Sequence, residues 1–323
     1  MKAIRFERVG GPEVLQWVDV PLGDPGRGEV RVRQTAVGLN YIDTYHRTGL
    51  YPLPLPSGIG QEGAGVVEAV GPGVKELKRG DRVGYAGGPI GAYAEARVYP
   101  AERLVKLPKS VPDQDAAALM LKGMTARYLL RKTFPVKRGD WLLVHAAAGG
   151  VGSVLVPWAK KLGAKIIGTA GSDEKLKLAA ARGAHHGINY RTQDFVAEVK
   201  RITAGRGVDV VYDSVGKDTF LRSLDCLRPL GMMVSYGNAS GKPPDFDTLL
   251  LSRKGSLFLT RPTLFDYVAR REDLLASARD LFKMVAAKVV KADIGQTYAL
   301  RDAAKAHADL EARKTHGATV LLP

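Results

Sequence analysis

Short apolar blocks fill the first 100 residues of the chain and alternate with polar positions as β-strands do. The clearest block is EVRVRQTAVGL at 29–39, whose period of two predicts a half-buried strand. Five further blocks are separated by glycine and proline and lie at 2–8, 14–20, 63–71, 81–86 and 92–100. Many short strands with such turns predict a compact, barrel-like β domain. Asn40 follows the longest block and is typical of a helix N-cap, here before YIDTYHRTG.

The pattern changes at Pro112, where helical periodicity begins over 113–132. Strands and helices then alternate, which predicts an α/β fold with a parallel sheet covered by helices on both faces. Residues 266–287 and 301–312 predict two later helices and 318–322 a last strand, and this segment is expected to return to the first domain. Six strands of a doubly wound sheet are predicted at 141–146, 165–169, 186–189, 208–213, 231–236 and 256–260, with helices such as 172–183 and 194–203 between them.

A glycine turn follows the first of these six strands, in WLLVHAAAGGVG at 141–152. The small residues Gly149, Gly150, Val151 and Gly152 let the backbone approach a pyrophosphate, and the next helix offers free N–H groups there. Ala147 takes the first glycine position of the G-x-G-x-x-G pattern, and glycines also make ordinary tight turns. The order of strand, turn and helix favours a dinucleotide site.

The end of the second strand indicates which dinucleotide binds. NAD-binding forms carry an acid there for the ribose 2′-hydroxyl, but this strand runs through Thr169 and Ala170 to Gly171 and Ser172. The acids at 173 and 174 come late, and Lys175 follows them. A hydroxyl and an amine suit a 2′-phosphate, so we predict NADPH. The alternative is that Ser172 only caps a helix and Lys175 is only solvated.

Composition narrows the class of protein. A chain of 323 residues predicts two domains at ~150 residues each, and 45% apolar with 25% charged residues is typical of a globular protein. No apolar run approaches the ~20 residues of a membrane helix, Met1 leads into IRF without a signal sequence, and Cys226 is the only cysteine. We therefore expect a cytoplasmic protein without membrane contact. The net charge of +15 is scattered, so it favours a solvated surface and a phosphorylated ligand over nucleic acid as the main partner.

Six stretches, in this order, also carry a family resemblance: NYIDTYHRTGLYP at 40–52, GQEGAGVVEAVG at 60–71, KGMTARYLL at 122–130, HAAAGGVG at 145–152, DSVG at 213–216 and SYGNASG at 235–241. Together they resemble the zinc-free quinone oxidoreductases of the medium-chain dehydrogenase/reductase superfamily, the zeta-crystallin-like branch. The resemblance implies a GroES-like β-rich catalytic domain over 1–122 and 266–323 and a Rossmann NADP-binding domain over 123–265. It also implies a homodimer joined through the edge of the Rossmann sheet near 250–262.

The same resemblance implies which residues bind the cofactor. Asn40, Ile42, Asp43 and Tyr45 would line it on the catalytic side, and Val151 and Gly152 would lie at the pyrophosphate, beside Gly149 and Gly150. The adenosine and its 2′-phosphate would meet Ser172, Lys175, Tyr190 and Arg313. The nicotinamide half would meet Ser214, Val215, Tyr236, Gly237, Asn238, Leu259 and Thr260, and Thr125 belongs to the same set.

Zinc is not expected in this chain. Where zinc-dependent members of the superfamily place a cysteine and the histidine of a GHE motif, this chain has Asn40 and Gln61, and neither side chain is a good Zn²⁺ ligand. The four-cysteine structural lobe is also absent, and the six histidines show no ligand pattern. The protein must therefore activate its acceptor by position and hydrogen bonding.

These features predict an NADPH-dependent quinone reductase. Tyr45 and Tyr51 flank the proline-rich loop, where an apolar quinone could dock and a phenol could donate to the developing oxyanion. Asn40 would orient the ribose or the acceptor. The alternative for Tyr51 is that its ring only packs against Pro52 and Pro54 within the loop. Two other functions remain open: reduction of an activated C=C bond in an enone or enoyl substrate, and an NADPH-binding protein with an RNA-binding or structural role.

Overall fold

The computed structural model describes all residues, 1–323. Strands dominate the first third of the chain, and strands alternate with helices after it. The strands are β1 Lys2–Phe6, β2 Gln16–Asp19, β3 Glu29–Leu39, β4 Ser57–Gly58, β5 Glu62–Val70, β6 Arg82–Ala86, β7 Ala96–Pro100, β8 Val105–Lys106, β9 Trp141–Val144, β10 Lys165–Ala170, β11 His186–Asn189, β12 Val208–Asp213, β13 Leu227–Ser235, β14 Phe258–Thr260, β15 Ile294–Ala299 and β16 Ala318–Leu322. The helices are α1 Tyr41–Arg47, α2 Asp113–Tyr128, α3 Gly152–Lys161, α4 Asp173–Arg182, α5 Phe195–Ile202, α6 Phe220–Leu224, α7 Leu249–Arg253, α8 Leu264–Tyr267, α9 Arg271–Ala286 and α10 Ala303–Glu311.

The chain divides into two compact units. The first contains Met1–Met124, Tyr267–Ala286 and Lys291–Pro323, and the second contains Thr125–Asp266 and Ala287–Val290. The first unit is therefore assembled from both ends of the described chain. No helix has both the length and the apolar character that crossing a membrane requires.

The first unit is built on a seven-stranded sheet in the order β15-β16-β3-β5-β6-β8, with β7 also paired to β3. A smaller sheet has the order β2-β1-β4. The long strand β3 organises the larger sheet because it pairs antiparallel with β5, β7 and β16. Its side chains alternate between buried and partly exposed at first and are all buried from Ala36 to Leu39. Leu321 of β16 packs in the same core as Val32 and Val37 of β3.

The second unit contains a six-stranded sheet in the order β11-β10-β9-β12-β13-β14, and every pairing in it is parallel. Counted from β9, this is the order 3-2-1-4-5-6 of a doubly wound nucleotide-binding fold. The order reverses between β9 and β12, and ligands of such sheets bind beyond the carboxyl ends of the strands at that point. All six residues of β12 are buried, as expected for a central parallel strand covered on both faces.

Most predicted elements are confirmed, with shifted ends. β3 and β16 have the predicted bounds, and α1 follows Asn40 as expected. The single helix predicted over 266–287 is wrong, because α8 and α9 are separated at 268–270, where the Val268 carbonyl accepts a hydrogen bond from Arg103 at 2.9 Å. β15 was not predicted, since its sequence IGQTYA mixes small and polar residues without a clear period.

Candidate active site

The glycine turn of the second unit has the geometry of a phosphate cradle. β9 ends at Val144 and α3 begins at Gly152, where a Cβ atom would lie 2.5 Å from the Ala146 carbonyl oxygen. The turn therefore tolerates only glycine at this position. The backbone N–H groups of Gly150 and Val151 donate to no carbonyl of the chain. Donors of this kind at a helix N-terminus suit an anion such as a pyrophosphate.

The acids after the second strand are engaged at the start of α4. Ser172 caps this helix by accepting from the Lys175 backbone N–H at 3.4 Å. Asp173 accepts from the Asn189 amide at 2.9 Å. Hydrogen bonds from its own backbone N–H and from the Ser172 hydroxyl lower the pKa of Glu174. Both carboxylates thus have local roles, and Lys175 is one of the cationic side chains at this point, since Arg191 also approaches Gly171.

Tyr190 lies next to the same strand end. A Cβ on Gly171 would come within 2.6 Å of the Tyr190 hydroxyl, so the phenol packs directly over the glycine backbone. The structure therefore brings Ser172, Lys175 and Tyr190 to the same end of the sheet in the second unit. Arg313 belongs to the first unit, where its charge partly offsets the rise that burial causes in the pKa of Tyr41.

A second turn follows β12 and is held by Asp213, which the sequence analysis did not select. Its carboxylate accepts from the backbone N–H groups of Val215 at 2.7 Å and Gly216 at 3.1 Å, and from the Thr219 hydroxyl at 2.8 Å. An acid followed by a glycine within DSVG is the sequence signal for such a turn. Asp213 thus positions Ser214 and Val215 beyond the carboxyl end of β12.

The end of β13 approaches this turn closely. A Cβ on Gly237 would lie 2.6 Å from the Ser214 carbonyl oxygen, so glycine is required there. Arg261 donates to the Ser235 carbonyl at 2.7 Å and lies 3.1 Å from the Asn238 amide. Arg261, another residue that was not predicted, therefore orders this strand end. Tyr236 directly follows β13, and Leu259 and Thr260 lie on the neighbouring strand β14. Thr125 is buried in α2.

In the first unit, Asp43 fixes the start of α1. One carboxylate oxygen, Oδ2, accepts from the Asn40 backbone N–H at 2.9 Å and from the Tyr93 hydroxyl at 3.0 Å. The other oxygen, Oδ1, is buried without a hydrogen-bond partner. Burial raises the pKa of Asp43 to about 7. The Asp43 side chain is fully buried, so it supports the start of α1 from the interior of the first unit. Ile42 beside it is partly exposed.

A chain of buried hydrogen bonds supports Asp43. Arg47, itself 1% exposed, approaches Nδ1 of His307 at 3.2 Å, and Nε2 of His307 lies 3.2 Å from the Tyr93 hydroxyl. A guanidinium can only donate, so Nδ1 accepts, Nε2–H donates to Tyr93, and Tyr93 donates to Asp43. Burial, together with the Arg47 charge, lowers the pKa of His307 to about 3, which keeps the ring neutral. At the other end of this series of hydrogen bonds, the Glu311 carboxylate accepts from Arg47 at 2.7 Å.

The two candidate phenols lie side by side. The ring centroids of Tyr45 and Tyr51 are 5.2 Å apart in an edge-on arrangement, and the Tyr51 N–H donates to the Tyr45 carbonyl at 3.0 Å. Tyr45 is buried, and Tyr51 is partly exposed at the start of the proline-rich loop. Leu50 and Leu55 on the same loop are 39% and 40% exposed. The loop therefore offers two phenols beside exposed apolar side chains.

The two positions at which related enzymes place zinc ligands hold amides that are already engaged. The Asn40 amide donates to Glu62 Oε2 at 2.8 Å. The Gln61 amide lies 3.4 Å from His46 Nδ1, in a buried setting that lowers the pKa of His46. No group of three or more His, Cys, Asp or Glu side chains is arranged to hold a metal ion.

A parallel 3-2-1-4-5-6 sheet with a glycine cradle, in one chain with a mostly antiparallel β unit, is typical of a two-domain dinucleotide-binding oxidoreductase. Two family models match: the alcohol dehydrogenase GroES-like domain over residues 26–109 and the zinc-binding dehydrogenase over residues 150–281. The chain belongs to the zeta-crystallin-like quinone oxidoreductases of the medium-chain dehydrogenase/reductase superfamily. The predicted combination of a GroES-like domain and a Rossmann domain is confirmed.

Individual relatives match over nearly the whole chain. A quinone oxidoreductase from Pseudomonas aeruginosa is 52% identical over 323 residues, covering 100% of this chain and 99% of the relative. A 2-haloacrylate reductase from a Burkholderia species is 50% identical and covers 98% of both chains. The crystal structure of Escherichia coli quinone oxidoreductase complexed with NADPH superposes with a TM-score of 0.98 at 49% identity and 100% coverage of both chains.

Proposed function

We propose that this chain is an NADPH-dependent quinone reductase that works without zinc. The observation that carries the proposal is the glycine cradle at Gly152, followed at the next strand end by Lys175 with both nearby acids engaged. Relatives whose sequences are about 50% identical to this chain are named quinone oxidoreductases, and the crystal structure of one of them is of a complex with NADPH. When bound, NADPH supplies the hydride for the reaction.

The chain's own residues bind and orient the two reactants. In the second unit, Gly149 to Gly152 would hold the pyrophosphate. The 2′-phosphorylated adenosine would be held by Ser172, Lys175 and Tyr190. The nicotinamide half would be held by Thr125, Ser214, Val215, the stretch 236–238 and the pair Leu259-Thr260. The loop after Tyr45 would dock the quinone and exclude water from it. No side chain is required as a general base, since a quinone is already an electrophile.

A comparison of acceptors tests this function. NADPH oxidation should be fastest with quinones and slower with enones and enoyl thioesters at equal concentration. The relative named as a 2-haloacrylate reductase favours reduction of an activated C=C bond as the second candidate. Faster turnover of the alkenes would make that the main activity. NADPH-sensitive RNA binding without any turnover would favour the third, non-enzymatic function.

Metal content gives a separate prediction. Asn40 and Gln61 are poor zinc ligands, and both amides are held by neighbouring side chains. We expect the purified protein to contain zinc far below one equivalent by elemental analysis. Quinone reduction should also survive prolonged treatment with a chelator. Stoichiometric zinc together with loss of activity on chelation would overturn the zinc-free mechanism.

Replacing the two phenols tests the acceptor site. If the rings mainly hold the quinone, Tyr45→Phe and Tyr51→Phe should lower kcat by less than about ten-fold, or 1.4 kcal/mol. The corresponding alanine variants should chiefly raise KM for the quinone. Steady-state kinetics with a soluble quinone measures both constants. A loss of several thousand-fold in kcat for a phenylalanine variant would make that tyrosine an essential acid, and unchanged kinetics in both alanine variants would place the acceptor elsewhere.

We propose a homodimer formed through the edge of the second unit's sheet. β14 is the last strand of that sheet, so one side of its backbone is unpaired. Phe258 on β14 is 56% exposed, and Leu249 on α7 is 47% exposed. Two such edges can pair about a two-fold axis. Phe258→Asp should shift the mass in solution from dimer to monomer, whereas Val9→Asp, on a 47% exposed residue of the first unit, should not.

A cytoplasmic location remains a prediction. Its basis is the single cysteine, which leaves no internal disulfide to form. Cys226 is buried, and burial raises the pKa of its thiol to about 12, so the thiol is unreactive at neutral pH. Fractionation of the source cells with an antibody against the protein would test the location directly.

A further inference from the structure

The side chain of Arg191 reaches the carboxyl end of β10, the second strand of the doubly wound sheet. β10 ends at Ala170, so Gly171 is the first residue beyond it. Nε of Arg191 lies 3.4 Å from the position that a Cβ atom on Gly171 would occupy, and the Tyr190 hydroxyl lies 2.6 Å from the same position. A guanidinium and a phenol therefore share the side-chain face of this glycine.

The turn that carries Arg191 is held by Asn189, the last residue of β11. The Asn189 amide oxygen accepts from the Arg191 backbone N–H at 3.1 Å, and the Asn189 carbonyl accepts from the Gln193 N–H at 2.8 Å. The NH₂ group of the same amide donates to Asp173 on α4 at 2.9 Å. Because β11 and β10 pair in parallel register, these bonds fix the Arg191 backbone beside the end of β10.

The guanidinium of Arg191 is available to a ligand. It is exposed, and no carboxylate of the chain forms an ion pair with it. The two acids at the start of α4 have other partners: Asp173 accepts from the Asn189 amide, and Glu174 accepts from its own backbone N–H and from the Ser172 hydroxyl. A guanidinium presents its N–H donors in a planar fork that matches the oxygens of a phosphate. This end of the sheet therefore suits a phosphorylated ligand.

We propose that Arg191 is a specificity-determining residue that donates hydrogen bonds to the 2′-phosphate of NADPH. In doubly wound nucleotide-binding folds, the ribose 2′ position lies beside the end of the second strand, where a nearby arginine accommodates a 2′-phosphate. Gly171, Tyr190 and Arg191 all belong to the second unit, and so does Lys175. The inference rests on the proposed NADPH-dependent function. It adds to the cofactor site a cation from the turn after β11, whereas Lys175 lies on α4.

Replacing the arginine tests the contact without any acceptor present. Arg191→Met removes the charge and the donors and keeps an unbranched side chain. In a fluorescence titration, the Kd for NADPH should rise about five- to thirty-fold, less than for a buried charge-assisted hydrogen bond because solvent screens an exposed cation. The Kd for NADH should change by less than about two-fold, which also shows that the variant is folded. An unchanged Kd for NADPH, or equal losses for both cofactors, would overturn the proposal.

Two fragments of the cofactor locate the contact on the 2′-phosphate. Adenosine 2′,5′-bisphosphate and 5′-AMP both lack nicotinamide, so titration calorimetry with them reports on the adenosine part alone. Arg191→Met should weaken the bisphosphate by about the same five- to thirty-fold and leave 5′-AMP within about two-fold. Equal weakening of both fragments would mean that the guanidinium contacts the adenine or the 5′-phosphate, which would contradict the assignment.

Arg138→Met is the matched control for charge. Arg138 is an exposed arginine of the same unit, but it precedes β9 and so lies at the amino ends of the strands. Its loss changes the net charge equally and should leave the Kd for NADPH within about two-fold. A loss as large as that of Arg191→Met would show a general charge effect and sink the inference.

Failure of the inference can be told apart from failure of the function on which it rests. A wild-type protein that binds NADPH no more tightly than NADH would refute the proposed use of NADPH. A wild-type preference for NADPH that persists in full in Arg191→Met would refute only the role of Arg191.

Discussion

Asp43→Asn should remove the contribution of Asp43 to the pH dependence of stability between pH 4 and 8. Burial raises the pKa of Asp43 from 3.8 to about 7, although hydrogen bonds from Asn40 and Tyr93 and the Lys122 charge act in the opposite direction. A carboxyl whose pKa is raised on folding stabilises the native state fully below its unfolded pKa, and this contribution is lost as the pH rises through the folded pKa. At 1.36 kcal/mol per pKa unit, the loss amounts to about 4 kcal/mol by pH 8.

Urea denaturation at several pH values measures this effect as the difference between wild type and variant. The difference should grow in favour of asparagine from pH 4 to pH 7 and then level off. Asp209 provides a control of opposite sign, because hydrogen bonds from Arg206 and Arg228 overcome its burial and lower its pKa to about 2. Asp209→Asn should therefore reduce stability by a constant amount over this range. Parallel curves for wild type and Asp43→Asn would show that Asp43 is ionised throughout.

Lys175→Ala should weaken NADPH binding by about ten- to a hundred-fold and leave NADH binding nearly unchanged. The expected loss is that of one charge-assisted hydrogen bond to the 2′-phosphate, roughly 1.5–3 kcal/mol. The two acids that follow the strand end, Asp173 and Glu174, are engaged at the start of α4. Fluorescence titration with each cofactor measures both dissociation constants.

Lys177 offers a matched control for this experiment. It is an exposed lysine on the same helix, and its charge helps to lower the pKa of Glu174. Lys177→Ala changes the net charge by the same amount, so it separates a local contact from a general electrostatic effect. We expect a change of less than about three-fold for either cofactor. Equal losses for NADPH and NADH in Lys175→Ala would mean that Lys175 does not contact the 2′-phosphate.

The parts of the fold that were predicted correctly are those that residues close together in sequence determine. The period of β3, the cap at Asn40 and the turn ending at Gly152 each depend on a few neighbouring residues. The break between α8 and α9 was missed, and the Val268 carbonyl within it accepts a hydrogen bond from Arg103, which is 165 residues away in sequence. A helical pattern contains no information about such a partner.

The candidate site also contains residues that local sequence predicts and residues that it does not predict. Asn40 and Asp43 were chosen as cofactor residues, but the residues that support them are far away in sequence. Lys122 is 60 residues from Glu62, and His307 is 260 residues from Arg47. Sequence patterns predict that a residue is buried and do not predict which charge it meets. The pKa of Asp43 is raised because the folded chain buries its side chain, and no sequence motif predicts this shift.

The pairing of β16 with β3 has a consequence for protein synthesis. β3 emerges early from the ribosome, whereas β16, which pairs with its last residues, is translated only after the second unit. At ordinary elongation rates, that edge of β3 waits on the order of tens of seconds for its partner. An unpaired strand edge is a template for pairing with other chains. The nascent first unit therefore exposes this edge of β3 until the last strand has been translated, whereas nearly all of the second unit comes from one continuous stretch of the chain.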